Sequence, residues 1–409
     1  MFLLLSSIAL RDWRLSILLL PIASLFFLSN NLFPLSEINA EVTREVSPAR
    51  IVAGRTTTVR LEVTNKGKKR IDFFELYDRL PAKVQVEKGS NHLLLTLDPG
   101  KKTTVNYEIL CPLRGRYEIG PACLRTRDSL GLHFTEKTLT EPSIFYVLPE
   151  VEYLKATDLR ARHTGPWPGI FPSRHSGVGT EFYGLRDYVP GDALSRVGWK
   201  ASARMAKLIT IDNESERSTD IMIILDAGRG STLGVSPNTL LEYEVRAAGS
   251  LASLLLNLGN RVGLIIHGGV RSSLPRDFGK RHFQTILNRL ATAEAGETPL
   301  PIGFEVPVLM PPDSQVILIS PLLDPHVPEA VRTLASEGYD LLIISPSVLG
   351  FPSSETSEAS RIVHRIMALE RGNTIAELRR YGTVVDWDPR IPLRVAMRET
   401  RRWRVPARH

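Results

Sequence analysis

Three arginines and three acids crowd one short stretch of this sequence. Arg186, Arg196 and Arg204 lie among Glu181, Asp187 and Asp192, enough opposite charge for bidentate guanidinium–carboxylate pairing. Pro190-Gly191 forms a tight turn, and Asp192 directly after it can accept from nearby backbone amides. Trp199 adds a planar face on which an arginine can stack. Two readings follow. Glu181, Arg186, Asp192, Arg196, Trp199 and Arg204 form either an anion- or peptide-docking surface or an internal ion-pair lattice that fastens neighbouring domains. A general base at Asp192 or Glu181 has no partner spacing behind it. His163 and His175 flank the Gly165-Pro-Trp-Pro-Gly169 loop ahead of the stretch and read as lone, structural histidines. Further on, Asp226 ends an apolar run and opens Asp226-Ala-Gly-Arg-Gly-Ser231. A phosphate-cradling loop is excluded there, because the Walker lysine and the longer glycine spacing are missing. The chain has only two cysteines, Cys111 and Cys123, in strand-like text. They build no disulfide framework or metal cluster and are expected as buried apolar side chains.

These residues need elements to hold them. From about residue 40 to 149 the text is all-β. Val59, Leu61 and Val63 alternate with polar residues, Asn65-Lys-Gly-Lys68 is a turn, and Leu93–Leu97 and Thr104–Ile109 are further strands. Short strands at this spacing predict an immunoglobulin-like β-sandwich. From residue 219 the rhythm changes to strand–helix alternation. Ile221-Met-Ile-Ile-Leu225 is apolar throughout, as a strand buried on both faces requires. Ser236-Pro237 is expected to open a helix carrying Leu241, Val245, Ala248, Ala252 and Leu255, which Gly259 closes. Apolar strands follow at 262–267, 316–320, 341–345 and 383–387. A long helix over 356–380 is expected to break near Gly372-Asn373. Repeated β-α units predict a doubly wound parallel sheet over 219–390, with a region of its own at 150–218 and a basic tail at 391–409.

The stretch from Gly179 to Glu216 resembles the signature of the domain of unknown function 58 family. The matching positions are Gly179, Glu181, Phe182, Leu185, Arg186, Tyr188, Pro190, Gly191, Asp192, Arg196, Trp199, Ala203 and Arg204. Arg114-Gly-Arg-Tyr-Glu-Ile-Gly-Pro121 and Asp128-Ser-Leu-Gly-Leu132 resemble the family's sandwich motifs. The resemblance implies N-terminal hydrophobic segments, a β-sandwich and a von Willebrand factor A-like α/β end, and an association with AAA ATPases of the MoxR class. A von Willebrand A domain holds Mg²⁺ with Asp-x-Ser-x-Ser, a later Thr and a later Asp. Here Gly228 and Gly230 replace both serines, and Pro321 takes an acidic position in Ser320-Pro-Leu-Leu-Asp324. Asp226, Ser231 and Asp324 remain. A site so depleted of oxygen ligands is expected to bind no metal and to need no cofactor, surviving as a docking face.

Composition bounds the rest. At 409 residues, two or three domains are expected. The net charge of +7 is spread along the chain except for Arg398, Arg401, Arg402, Arg404 and Arg408. That cluster fits a solvated terminal helix better than a nucleic-acid interface. Leu15 to Phe33 is long and apolar enough to span a bilayer, and no small-x-small cleavage site follows it. A retained membrane anchor over residues 1–36, as one span or a short hairpin, is therefore expected. Arg11 and Arg14 before a single span would place the bulk outside, whereas an ATPase partner requires it in the cytoplasm. The expectation is a membrane-tethered, non-enzymatic scaffold with its bulk cytoplasmic. The rival is a metal-dependent adhesion protein on the other side of the membrane.

Overall fold

The structure is a computed structural model that describes residues 17, 21, 24, 27, 39–127, 134–155, 173–190, 192–215, 220–269, 272–297, 301–304, 306–311, 314–351 and 358–399. Apart from four helical positions, the expected anchor over 1–36 lies outside the described residues, as do 128–132 and the arginines from 401 onward. Among the described residues no helix is long and apolar enough to cross a membrane. The chain is a mixed α/β protein of two compact units, Met1–Leu148 and Pro149–His409.

The first unit is made of strands β1 (Ala40–Ser47), β2 (Arg50–Val52), β3 (Arg55–Asn65), β4 (Ile71–Asp78), β5 (Gln85–Lys88), β6 (His92–Leu97), β7 (Lys102–Cys111), β8 (Gly115–Ile119), β9 (Ala122–Arg127), β10 (Phe134–Thr138) and β11 (Ser143–Leu148). They form three sheets, ordered β1-β3-β7-β5, β10-β9-β4-β6 and β2-β11-β8. One apolar core receives Val59, Leu61 and Val63 from β3, and Phe74 and Leu76 from β4. The period of two that alternates apolar and polar residues in β3 is what turns that face inward. Cys111 and Cys123 are both buried and free, and burial pushes the Cys111 thiol up to about 11.

A charged pair crosses this core. Asp78, at the end of β4, accepts from Arg44 Nε (2.9 Å) and Nη2 (2.5 Å) and from the Tyr107 hydroxyl (2.8 Å). The side chains of Arg44 and Asp78 are 1% and 0% exposed. The other guanidinium donors meet the Ile119 and Glu141 carbonyls and the Ser143 and Thr140 hydroxyls at 3.0–3.2 Å. With partners on every side the desolvated charges are compensated. Gly120 permits this approach, since a Cβ there would lie 2.5 Å from Arg44 Nη2.

In the second unit, β12 (Ser173–Asp187) pairs antiparallel with β13 (Ile209–Ser215), and the short helix α1 (Trp199–Met205) lies between them in sequence. The remainder continues as β14 (Asp220–Asp226), β15 (Gly234–Val235), β16 (Asn238–Thr239), α2 (Leu240–Asn257), β17 (Arg261–His267), β18 (Ser272–Asp277), α3 (Gly279–Ala291), α4 (Val306–Leu309), β19 (Gln315–Ile319), α5 (Val327–Ser336), β20 (Asp340–Pro346), α6 (Glu358–Leu378), β21 (Thr383–Trp387) and α7 (Leu393–Glu399). Six strands form one sheet, β18-β17-β14-β19-β20-β21, parallel except for the edge strand β18. Ile221, Ile223 and Leu225 of β14 enter an apolar cluster on one face, and Met222 and Ile224 enter a second cluster on the other. Complete burial of such side chains stabilises by roughly 2 kcal/mol each. This explains a strand without polar alternation.

Three boundaries differ from expectation. Ser236-Pro237 is the two-residue loop joining β15 to β16, and α2 starts only at Leu240, behind the extended Thr239. The long helix α6 runs unbroken through Gly372. Arg371, beside that glycine, donates to the Pro321 and Ser345 carbonyls (3.0 and 2.9 Å) and to Asp386 (2.6 Å), which holds this turn against three strand ends. Residues 393–399 are a docked helix rather than a tail. Leu393, Ala396 and Met397 join the core, and the Glu152 carboxylate accepts from the Leu393 and Arg394 amides (2.9 and 3.2 Å). A carboxylate favours a helix N-terminus because it satisfies otherwise unpaired amides there.

Candidate functional site

Two places in the second unit gather the candidate residues. At the end of β12, Arg186 grips Asp192 with both terminal nitrogens, each at 2.7 Å. Asp192 also accepts from the Val189 amide (3.0 Å) and the Thr210 hydroxyl (3.2 Å). The Arg186 guanidinium and then the Val189 amide hold its carboxyl well below the usual carboxylate range. This ties the Pro190 turn to β13. Asp187 takes Lys207 instead (2.7 Å). Trp199 and Arg204 stand apart from these pairs. They line a groove of about 470 Å³ with Leu185, Lys200, Met205 and Ile211. The backbone of Glu181 lies in β12 and that of Arg196 in a 3-10 turn, and their side chains lie outside the described residues. The single lattice of the sequence thus resolves into a structural pair and a separate groove.

The second place is the carboxyl edge of the parallel sheet, where strands end and loops open. Asp226 is 3% exposed. Its Oδ1 accepts from the Gly228 amide (3.1 Å) and its Oδ2 from the Ser320 hydroxyl (2.5 Å). Ser320 in turn accepts from the Leu322 amide (3.1 Å). Burial pushes the Asp226 carboxyl up to about 6 against these two hydrogen bonds, and the Asp324 charge adds to the rise. Ser231, fully buried, donates to the Asp226 carbonyl (2.9 Å), so its hydroxyl serves the turn. Asp324 accepts from the His326 amide (2.9 Å) ahead of α5.

These residues do not fit a divalent cation. Gly228 and Gly230 offer no side-chain oxygen, and both Asp226 oxygens are engaged within the chain. A side chain at 230 would start in tight contact, since a Cβ there would lie 3.0 Å from Leu323, which would have to shift by a few tenths of an ångström. Hard cations need several oxygens at once. What the edge does offer is room. A cleft of about 560 Å³ is bordered by Asp226, Ser231, His267, Leu323 and Asp324, and one of about 740 Å³ by His267, Phe304, Val308, Asp324 and Glu329. The sequence marked Ser320 only as the start of the Ser320–Asp324 stretch, not as a partner of Asp226, and assigned no role to Leu323 or Arg371. Ser320 had a signal, as a hydroxyl at a strand end facing Asp226 in the parallel register. Leu323 and Arg371 had none, because only packing brings them to this edge.

Comparison with known proteins sets this geometry beside uncharacterised relatives. Over 267 residues the chain is 25% identical to the uncharacterized protein YeaD of Bacillus subtilis, a match covering 64% of each chain. Over 155 residues it is 26% identical to an uncharacterized protein of Mycobacterium tuberculosis, covering 38% of this chain and 48% of that one. The chain therefore spans less than two thirds of the length of these curated relatives. Among solved structures, the conserved hypothetical protein BatB from Bacteroides thetaiotaomicron aligns over 45% of this chain and 97% of its own, at 14% identity and a TM-score of 0.30. That likeness is too low to carry an argument. Residues 184–345, from the last four residues of strand β12 through nearly all of β20, match the family described as protein of unknown function DUF58.

Proposed function

We propose that this chain is a membrane-anchored, non-enzymatic docking protein. Its first unit is an immunoglobulin-like sandwich. Its second is a von Willebrand A-like platform whose carboxyl edge receives a protein partner, an AAA ATPase of the MoxR class, on the cytoplasmic side. The observation that carries this reading is the engagement of Asp226. Its carboxylate is closed by Ser320 and Gly228, with Leu323 over Gly230, while two clefts stay open beside it. An edge built this way favours recognition by shape and apolar contact over recognition through a bridging metal ion. The identity of the ATPase rests on the family resemblance alone.

The test is capture of the full chain from native membranes in mild detergent. Recovery of an AAA ATPase, lost when Val308→Asp or Phe304→Asp charges the larger cleft, is the expected result. Repeated capture without any such ATPase would sink the partner. Protease protection in sealed vesicles decides the side of the membrane. Calorimetry with Mg²⁺ is expected to give no heat of binding, and a stoichiometric site would instead favour metal-dependent adhesion.

A further inference from the structure

The hairpin region ahead of the parallel sheet carries a concentration of exposed apolar surface. Leu185 is 46% exposed, Trp199 65% and Met205 56%, and all three line the 470 Å³ groove beside α1. Val189, Leu194 and Leu208, within the same stretch, are also exposed. A scattered apolar side chain needs no explanation, but several around one concavity do. The groove has a charged rim of one sign. Lys200 and Arg204 border it, its described lining contains no acid, and neither cation forms an ion pair among the described residues. The nearby cations Arg186 and Lys207 are held by Asp192 and Asp187. The two groups of charges have different roles. One pair fixes the turn, and the other faces solvent beside an apolar floor.

Size and shape narrow the occupant. A groove of this volume is larger than one side chain requires and falls within the range of ligand-binding clefts. A concave apolar floor suits inserted side chains better than the flat interface of a bilayer. A partially exposed tryptophan flanked by cations is the composition of an interface centre, where aromatic anchors carry most of the energy and the rim sets the charge of the partner. We infer that the Trp199 groove is a second docking surface that receives an acidic protein segment, which inserts two neighbouring apolar side chains between Leu185, Trp199 and Met205 while its carboxylates meet Lys200 and Arg204. This inference rests on the reading of the chain as a docking protein and adds a surface separate from the carboxyl edge of the sheet.

The experiment uses the full chain in neutral-detergent micelles and fluorescent 15-residue peptides with Leu or Phe at positions i and i+4. One set carries Glu elsewhere and its counterpart carries Lys. The Glu set is expected to bind and the Lys set not, with affinity falling at least tenfold in Trp199→Ala and in the doubly reversed Lys200→Glu/Arg204→Glu. The second variant changes only exposed charges, so it guards against a folding defect in the first. Equal binding of both peptide sets, or variants within twofold of the parent, would overturn the inference. So would protection of residues 185–211 from hydrogen exchange by anionic nanodiscs without peptide, which would assign the patch to lipid. ATPase capture by the parent chain tests the earlier reading independently, so either can fail alone.

Discussion

Each unit buries one carboxylate at the end of a strand, and the two are satisfied in opposite ways. Asp78 is matched by a full countercharge, with Arg44 and Tyr107 closing on it inside an apolar core. Asp226 is buried almost as deeply with no cation paired to it among the described residues, held by one hydroxyl and one amide. A buried ion pair with complete partners is internally neutral and serves the fold. A buried carboxylate with only neutral donors resists ionisation. That contrast separates an acid neutralised inside a core from an acid held by neutral donors at the edge of a sheet, although both end apolar strands in the sequence.

The largest expected effect comes from breaking the first arrangement. Arg44→Met leaves Asp78 buried without a countercharge and is expected to destabilise the first unit by about 3–5 kcal/mol, read from its transition in calorimetry of the full chain. Loss of less than 1 kcal/mol would mean that the cage relaxes and water enters. Tyr107→Phe removes one donor to the same carboxylate, and about 2 kcal/mol of destabilisation is expected in urea unfolding.

Asp226→Asn has the opposite sign. In the folded chain the carboxyl titrates at about 6, above an unfolded value of ~3.9. The folded state therefore keeps a proton that the unfolded chain has already lost, and stability falls as pH rises from about 4 to 6. The amide abolishes this dependence. It is expected to leave stability unchanged near pH 4 and to raise it by about 3 kcal/mol at pH 7.5, checked by unfolding midpoints across that range. A pH profile identical to the parent's would remove the contrast with Asp78. The smallest expected effect tests the helix that carries Arg371 to the same edge. Gly372→Ala, where an added Cβ meets nothing within 4 Å, is expected to stabilise by about 0.5–1 kcal/mol in thermal unfolding.

Much of the architecture was legible because it depends on local pattern. The period-two alternation of β3 and the two-sided apolar run of β14 each state how many faces must be covered, and burial follows. The acidic residue that ends β14 and the glycines after it were equally plain, because the chemistry of a missing oxygen does not depend on fold. The start of α2 was misplaced because Ser236-Pro237 satisfies the rules for a helix opening and for a hairpin loop alike. Only the strand pairing of β15 with β16 decided between them.

The sequence by itself determined the strongly periodic strands and helices on either side of residues 150–218, that an all-β unit precedes an α/β one, and that the charged stretch and Asp226 were the places to look. The strands and short helix within 173–215 and the helix at 393–399 carried no such periodicity. Tertiary structure alone decided the partners. Asp192 belongs to Arg186 and not to Arg204, Ser320 reaches Asp226 across 94 residues, Leu323 covers Gly230, and Arg44 finds Asp78. The physical reason is that periodicity is a property of neighbours in the chain. Charge compensation and desolvation depend on distances in space, which only the packed fold sets.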